Sequence, residues 1–391
     1  MLTTTEINFR KKLTLPITNS VVKHLSSKWE GSAVHEESTL HQLSPYVGKM
    51  KSSMANALIS KFTKKGEIVY DPFSGSGTVA HEAWIAGRHI YASDLNLYAS
   101  VLTRAKLFPY LSVKDAIDYI EKIDKILISK DNKIDLRKIP AWVRSFYHPE
   151  TLREIVAWSH ILKERKSYYL LSCLLGILHH QRPGFLSYPS SHTVPYLREK
   201  KFPIEKYPEL YEYRSLKDRL IRKVNRSLKR VPQLDDRIIR KYYMRDAAYF
   251  VPDQKVHAII TSPPYMRQLD YGRDNRLRLW FLGVEDWKAL DHAISPPEVN
   301  FISLMKTCLK LWQNVLTQNG LCVFVLGDGH SRLYNMSLAD VVGHLATSEV
   351  GGYFIASKYT EAIPNERRVR RGCRGSSTET ILVLRKNEDA K

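Results

Sequence analysis

The chain has 391 residues, 43% of them hydrophobic, which suffices for one large core or two ordinary ones and is not the composition of a disordered tail. Sixty Lys and Arg against forty Asp and Glu leave a formal charge of +20, and so basic a balance points to a polyanionic partner, most simply nucleic acid. The longest apolar run, YYLLSCLLGIL at 168–178, contains a glycine and is too short for a membrane span, so it reads as a buried helix.

In chain order, MLTTTEINFRKKLTL has neither the apolar core nor the small-residue cleavage pattern of a signal peptide. Residues 1–40 carry no assignable role. HQLSPYVGKMKSSMANALISKF predicts a helix with Met50, Met54, Leu58 and Phe62 on one face. GEIVYDPFSGSGTVAHEAWIAGRHIYASDLN then alternates strand, glycine turn, helix and strand, which is a βαβ unit of a parallel sheet. From about 100 to 240 the chain turns helical, aromatic and basic. Strand-like stretches resume with KYYMRDAAYF, VHAIITSPPY, GLCVFVLGDG, GYFIASKYT and TETILVLRK. The expected architecture is α/β: a doubly wound, mostly parallel, Rossmann-like sheet built from 41–105 and 242–391. A large helical basic insertion at 106–241 interrupts it.

Cys173, Cys308, Cys322 and Cys373 are far apart and lack zinc or CxxC spacing, so no metal is expected and the thiols read as reduced cysteines of a cytoplasmic protein.

In VYDPFSGSGT, Gly75 and Gly77 permit a tight turn where strand meets helix, and the helix amino terminus offers unpaired N–H groups to a ligand. Asp94 follows Gly75 by nineteen residues, at the end of the next strand, where a carboxylate can accept from both hydroxyls of a ribose. Together these predict a nucleoside-cofactor site. A phosphate-loop NTPase is disfavoured because no GK[ST] follows. The nicotinamide fingerprint meets Ala80 in place of its third glycine. Asp71, just before the turn, would repel a pyrophosphate but could pair with the α-amino group of S-adenosylmethionine.

TSPPY at 261–265 ends an apolar strand on two prolines, which fix two φ angles and remove two donors. It is a stiff platform with the Ser262 hydroxyl on one side and the Tyr265 ring on the other. SPPE at 295–298, with no preceding strand and no ring, reads as a loop.

With DPFSGSGT at 71–78 and TSPPY at 261–265, the chain resembles the amino-group (N4-cytosine and N6-adenine) DNA methyltransferases, which use S-adenosylmethionine. The SPPY form is similar to that of enzymes making N4-methylcytosine. HQLSPYVGKMKSSM is similar to the family's additional cofactor motif, and MRDAAYF to the acidic motif that contacts the adenine ring. The resemblance implies a cofactor site drawn from Tyr46, Asp71, Phe73, Ser74, Gly75, Gly77, Thr78, Asp94, Asp246 and Ala247. It implies a catalytic platform of Ser262, Pro263, Pro264 and Tyr265. One departure stands out: the insertion precedes Asp246, whereas recognition regions of this motif order are expected after it.

The chemistry agrees with the resemblance. Cytosine's amine is conjugated into its ring and is a poor nucleophile. The Ser262 hydroxyl and the Ser262 peptide carbonyl can accept its protons and aim the lone pair, held fixed by proline stiffness. Tyr265 would stack on a base flipped from the duplex. No cysteine follows a proline, so the Pro-Cys nucleophile of ring-carbon cytosine methylases is missing.

Residues 214–245 carry twelve Lys and Arg against three Asp. Leu216, Leu220, Val224 and Leu228 form a helical stripe there, with Arg219, Arg222, Lys223, Arg226, Lys229 and Arg230 largely off it. That is an amphipathic basic helix expected to offer cations to DNA. HHQRPGFLSYPSSHTVPYL, with Arg182, Tyr188 and Tyr196, reads either as a loop beside the base pocket or as an irregular packed loop. NERRVRRGCRG supplies a second basic patch through Arg367, Arg368, Arg370 and Arg371. The expected function is site-specific N4-cytosine methylation of double-stranded DNA, as the modification half of a restriction system with a separate endonuclease. Adenine methylation, RNA base-amine methylation, and a nucleic-acid-binding protein retaining an inactive methylase fold are the competing readings.

Overall fold

A computed structural model describes residues 37–129, 134–192, 194–264, 270–363 and 377–387. Tyr265, Cys373 and the arginines Arg367, Arg368, Arg370 and Arg371 lie outside the described residues, as do residues 1–36.

Helix α1 (Ser52–Phe62) leads into β1 (Ile68–Asp71), α2 (Thr78–Ile85), β2 (His89–Ser93) and α3 (Leu97–Leu107). The chain then leaves the sheet for α4 (Val113–Ser129), α5 (Pro149–Glu164), α6 (Tyr168–Ile177) and α7 (Leu216–Ser227). It returns as β3 (Arg240–Tyr243) and β4 (Val256–Thr261). After these come α8 (Tyr271–Leu282), α9 (Trp287–Ile294), α10 (Glu298–Val315), β5 (Leu316–Gly327), α11 (Leu338–His344), β6 (Tyr353–Ala362) and β7 (Thr378–Lys386).

These strands form one seven-stranded sheet in the order β3-β2-β1-β4-β5-β7-β6. The first five are parallel, with Tyr70 beside Tyr91 and Val69 beside Ala258. Strand β7 runs antiparallel between β5 and β6, pairing Leu382 with Phe324 and Ile381 with Tyr359. The expected doubly wound, mostly parallel α/β sheet is therefore present. Strand order reverses between β1 and β4, and at such a reversal two neighbouring crossovers diverge and leave a crevice at the strands' carboxyl ends.

Alternation along β5 explains the two-faced core. Val323 and Val325 join Val69, Ile90 and Ile260 beneath Met54, Leu58 and Val79 of α1 and α2. Cys322, Phe324 and Leu326 point the other way, onto Phe301, Met305, Leu309 and Trp312 of α10. The helices between β2 and β3 have a third core, but they do not close it alone. Tyr98, Val101 and Leu102 of α3 and Leu277, Leu279 and Phe281 of α8 belong to the same buried cluster as Leu170, Leu174 and Leu220. The helical region is thus a lobe completed from both sides of the sheet's chain. Among the described residues, no helix is long and apolar enough to cross a membrane.

Candidate active site

Four strand ends converge on the crevice. Asp71 is the last residue of β1 and is only 2% exposed. Its Oδ1 accepts a 2.7 Å hydrogen bond from the Thr261 hydroxyl at the end of β4. Burial pushes the Asp71 carboxyl up to about 7, against the pull of the Thr261 hydroxyl; nearby Asp94 pushes it further. Asp94 follows β2. Its Oδ2 accepts from the Gly75 N–H at 2.8 Å and its Oδ1 from the Asn96 N–H at 2.8 Å. Burial raises this carboxyl to about 6, opposed by those N–H groups. Each oxygen takes one backbone donor and has lone-pair capacity left for a ligand hydroxyl.

The turn between Asp71 and α2 needs its glycines for different reasons. Gly75 has φ +49, and a Cβ there would lie 3.3 Å from the Tyr46 ring. Gly77, the N-cap of α2 with φ +72, would put a Cβ 2.8 Å from the Thr103 Cα. Gly75 keeps the cleft wall low, whereas Gly77 lets α3 approach the turn and does not line the cleft. Ser74 Oγ lies 3.1 Å from Thr103 Oγ1, which ties the same two elements.

The resulting cleft encloses about 900 Å³ including its open mouth, within the range of small-molecule sites. Tyr46, Asp71, Phe73, Ser74, Gly75, Thr78, Asp94, Asp246, Ala247, Ser262 and Pro264 all line it. Pro263 is buried behind the platform. Tyr46 stands between two further tyrosines, with ring centroids 5.7 Å from Tyr98 and 5.9 Å from Tyr271. Phe73 rests edge-on to Trp312 at 6.3 Å. Asp246 follows β3 and accepts from the Ala248 N–H at 2.9 Å.

Sequence reasoning missed several lining residues: Asn96, Arg245, Tyr271, Ala293, Ile294 and Leu304. The last four come from α8, α9 and α10, whose approach to the cleft has no local signature. Thr261 was within reach, being a hydroxyl at a buried strand end opposite an acid.

The basic helix is α7, and its apolar stripe is buried as expected, with Leu216, Leu220 and Val224 inaccessible. Arg222, Arg226, Lys229 and Arg230 are exposed. Lys223 departs from the expected outward placement: it is 4% exposed and its ammonium donates to the Gln42 carbonyl at 2.7 Å. It lies between Leu220 and Ser227 on the buried side of the helix, so it fastens α7 to the chain ahead of α1. Arg219 is half-buried and donates to the Pro183 and Ser215 carbonyls. Among the described residues, no cluster of histidine, cysteine or acidic side chains could hold a metal ion.

Three acids in one cleft, two of them pressed toward neutrality by burial, call for a ligand that brings positive charge and hydroxyls. S-adenosylmethionine fits: it carries a sulfonium, an α-ammonium, a ribose diol and an adenine amine. Asp94 suits the diol, Asp246 the adenine edge and Asp71 the ammonium, while Gly75 leaves room beside Tyr46. A dinucleotide pyrophosphate would meet Asp71 with like charge.

The sheet and its cleft have the Rossmann-like α/β topology that the sequence predicts, with a lining that suits S-adenosylmethionine. Residues 4–107 match the family model described as DNA methylase, of the N6/N4 type. The chain is also similar to the type II methyltransferase M.BsoBI of Geobacillus stearothermophilus, 24% identical over 280 residues. That match covers 65% of this chain and 55% of the relative, so the chain spans just over half of that relative's length. The resemblance to the amino-group DNA methyltransferases is borne out by these two matches. The chain is also similar to the solved structure of TrmN from Thermus thermophilus, at 12% identity and a TM-score of 0.34 over 87% of this chain and 50% of that one. An rRNA methylase from Streptococcus thermophilus gives 9% and 0.32, over 86% and 97%. Likenesses so distant bear on neither substrate nor mechanism.

Proposed function

We propose that the chain transfers a methyl group from S-adenosylmethionine to the exocyclic N4 amine of cytosine in double-stranded DNA. The observation that carries this reading is that Ser262 and Pro264 line the same cleft as Asp71, Asp94 and Asp246. In this reading the platform of hydrogen-bond acceptors and the three acids open onto one shared cleft.

S-adenosylmethionine, when bound, supplies an electrophilic methyl group on a sulfonium. The protein's part is to present the amine. Ser262 and its peptide carbonyl accept the two amine protons, which turns the nitrogen lone pair out of conjugation and toward the methyl carbon. The two prolines keep those acceptors from relaxing, so little reorganisation accompanies reaction. Asp71, Asp94 and Asp246 would hold the cofactor so that its methyl group passes to the amine nitrogen and the S–C electron pair stays on sulfur, while the Ser262 acceptors would pass one amine proton to water. A paired base cannot reach the cleft, so the cytosine is flipped out and Tyr265 stacks on it.

The exposed cations of α7 and the arginines Arg367, Arg368, Arg370 and Arg371 hold the phosphates in this account. In this account the enzyme acts in the cytoplasm as the modification half of a restriction system, beside a separate endonuclease. The test is transfer of a labelled methyl group into duplex DNA and, separately, into total RNA. Label in DNA supports the reading, and label in RNA alone overturns it.

A further inference from the structure

The tip of the loop that follows α6 carries an exposed arginine that the functional site does not use. Gln181–Gly184 forms a turn in which Phe185 N–H donates to the Arg182 carbonyl at 3.1 Å and Arg182 N–H donates to His180 Nδ1 at 3.0 Å. Arg182, Pro183 and Gly184 are exposed, and the Arg182 side chain has no hydrogen-bond or ion-pair partner among the described residues. The His180 ring stacks on Phe185 at 4.7 Å and meets the His192 edge at 4.6 Å, which gives the turn an aromatic base.

What holds this loop is unusual. Its carbonyls are gripped by arginines rather than by sheet or helix. Arg214, 4% exposed, donates to the Phe185, Ser187 and Leu210 carbonyls. Arg219 of α7 donates to Pro183, and Arg278 of α8, 1% exposed, to His192 and Leu175. Arg276, also of α8, donates to the Pro195 carbonyl. Neutral carbonyls accept most of these donors; Asp274 faces Arg276, and Asp218 and Glu154 face Arg219, whereas Arg214 and Arg278 have no ion-pair partner among the described residues, so their charge is left on the bed beneath the loop. A cluster that keeps positive charge in this way favours an incoming polyanion.

The loop also has a defined place. Arg276 lies five residues beyond Tyr271, a cleft residue on the same helix, and so about 7.5 Å along its axis. On the other side, Arg219 links the tip to α7, where Arg222 and Arg226 continue the row at helical spacing and are exposed without side-chain partners among the described residues. From Arg219 to Arg226 the row runs about 10 Å, roughly three phosphates along one strand.

We infer that the Arg182 turn and the Arg219–Arg222–Arg226 row form one ridge that grips the phosphate backbone of a DNA duplex beside the cleft mouth. The inference rests on the DNA reading above and deepens it by assigning the loop, and not the basic helix alone, to the backbone grip. The histidines are not the source of charge: burial holds both below their ordinary range, His192 down to about 3, assisted by Arg278 there and by Arg182 at His180.

The test compares the full-length protein with Arg182→Ala and with Arg182→Ala/Arg222→Ala for binding to a 30-base-pair duplex across a salt series. Both side chains are exposed and partnerless among the described residues, so the variants should keep the wild-type melting temperature and S-adenosylmethionine affinity. The single variant is expected to bind about 3- to 10-fold more weakly at moderate salt. The double variant should lower the slope of log affinity against log salt by about two, one for each phosphate left without its arginine. Wild-type binding with unchanged affinity and slope in the variants overturns the ridge alone. A wild-type protein that binds no duplex at any salt overturns the DNA reading and the ridge with it.

Discussion

The Thr261 hydroxyl donates to the Asp71 carboxylate at 2.7 Å, joining the carboxyl ends of β4 and β1 across the point where strand order reverses. Thr261 immediately precedes Ser262, so one hydrogen bond fixes the platform relative to an acid that lines the cleft. Thr261 is fully buried. Thr261→Val, which keeps the shape and removes the donor, should weaken S-adenosylmethionine binding by about 1.5–3 kcal/mol, the usual worth of a hydrogen bond to a charged group. Thr261→Ser should restore most of it. Calorimetric titration of both variants checks this.

Acidity offers a second handle. Asp71 titrates at about 7 in the ligand-free protein, and pairing with an ammonium would lower that value. Cofactor affinity should therefore rise from pH 5 to pH 8 and level off above about 7. Asp94, at about 6, contributes in the lower part of the range. Asp71→Asn should bind more weakly and lose the upper part of the pH dependence. A pH-independent affinity in the wild type would rule out the pairing.

The same shift has a stability consequence of opposite sense. The ordinary value for this carboxyl is 3.8, so between there and about 7 the folded chain holds a proton that the unfolded chain has released. Ligand-free stability should fall as pH rises through that window. Asp71→Asn should remove the Asp71 share of the fall, leaving the smaller share that Asp94 contributes below about pH 6, and gain on the order of 1–4 kcal/mol at pH 8. Thermal melts at pH 5 and pH 8 read both signs.

At the turn, Gly77→Ala combines a positive φ with a Cβ 2.8 Å from backbone of α3. A cost of about 2–4 kcal/mol is expected, and trimming the Thr103 side chain should relieve only the part due to its Oγ1, because the Thr103 Cα stays 2.8 Å away. Gly66→Ala shares the positive φ but meets nothing within 4 Å. It should cost only about 1–2 kcal/mol. Equal losses in the two variants would show that strain alone governs the turn.

The glycine turn and Asp94 were legible because a strand, a tight turn and a returning strand fix their separation within one local unit. Strand β7 was legible to the residue, as TETILVLRK carries a continuous run of β-branched and apolar residues without a breaker, buried from Thr380 to Leu384. β3 was not: KYYMRDAAYF reads as one stretch, yet only Arg240–Tyr243 pairs, because Asp246 captures the Ala248 N–H in a turn. Lys223 was misplaced for a tertiary reason, since its partner Gln42 lies 181 residues away. The lining from α8 to α10 follows from lobe packing that no local pattern encodes. The loop at 179–197 was open between two readings, and the arginines that grip its carbonyls come from α7, α8 and the residues ahead of α7.

The platform is tested by separating chemistry from binding. Ser262→Ala should cut turnover by about 10²-fold or more, as loss of a positioned acceptor does elsewhere, while S-adenosylmethionine affinity stays within about threefold. Tyr265→Ala should lose turnover on duplex DNA more than on single strands, where the base needs no extrusion. Single-turnover kinetics on both substrates distinguish these outcomes.

The most direct measurement is nucleoside analysis of duplex DNA of mixed sequence after incubation with the protein and S-adenosylmethionine, with Ser262→Ala alongside. The account predicts N4-methylcytosine, lost in the variant. N6-methyladenine in its place would contradict the assignment of the target base, and unmodified DNA would contradict the DNA methyltransferase reading itself.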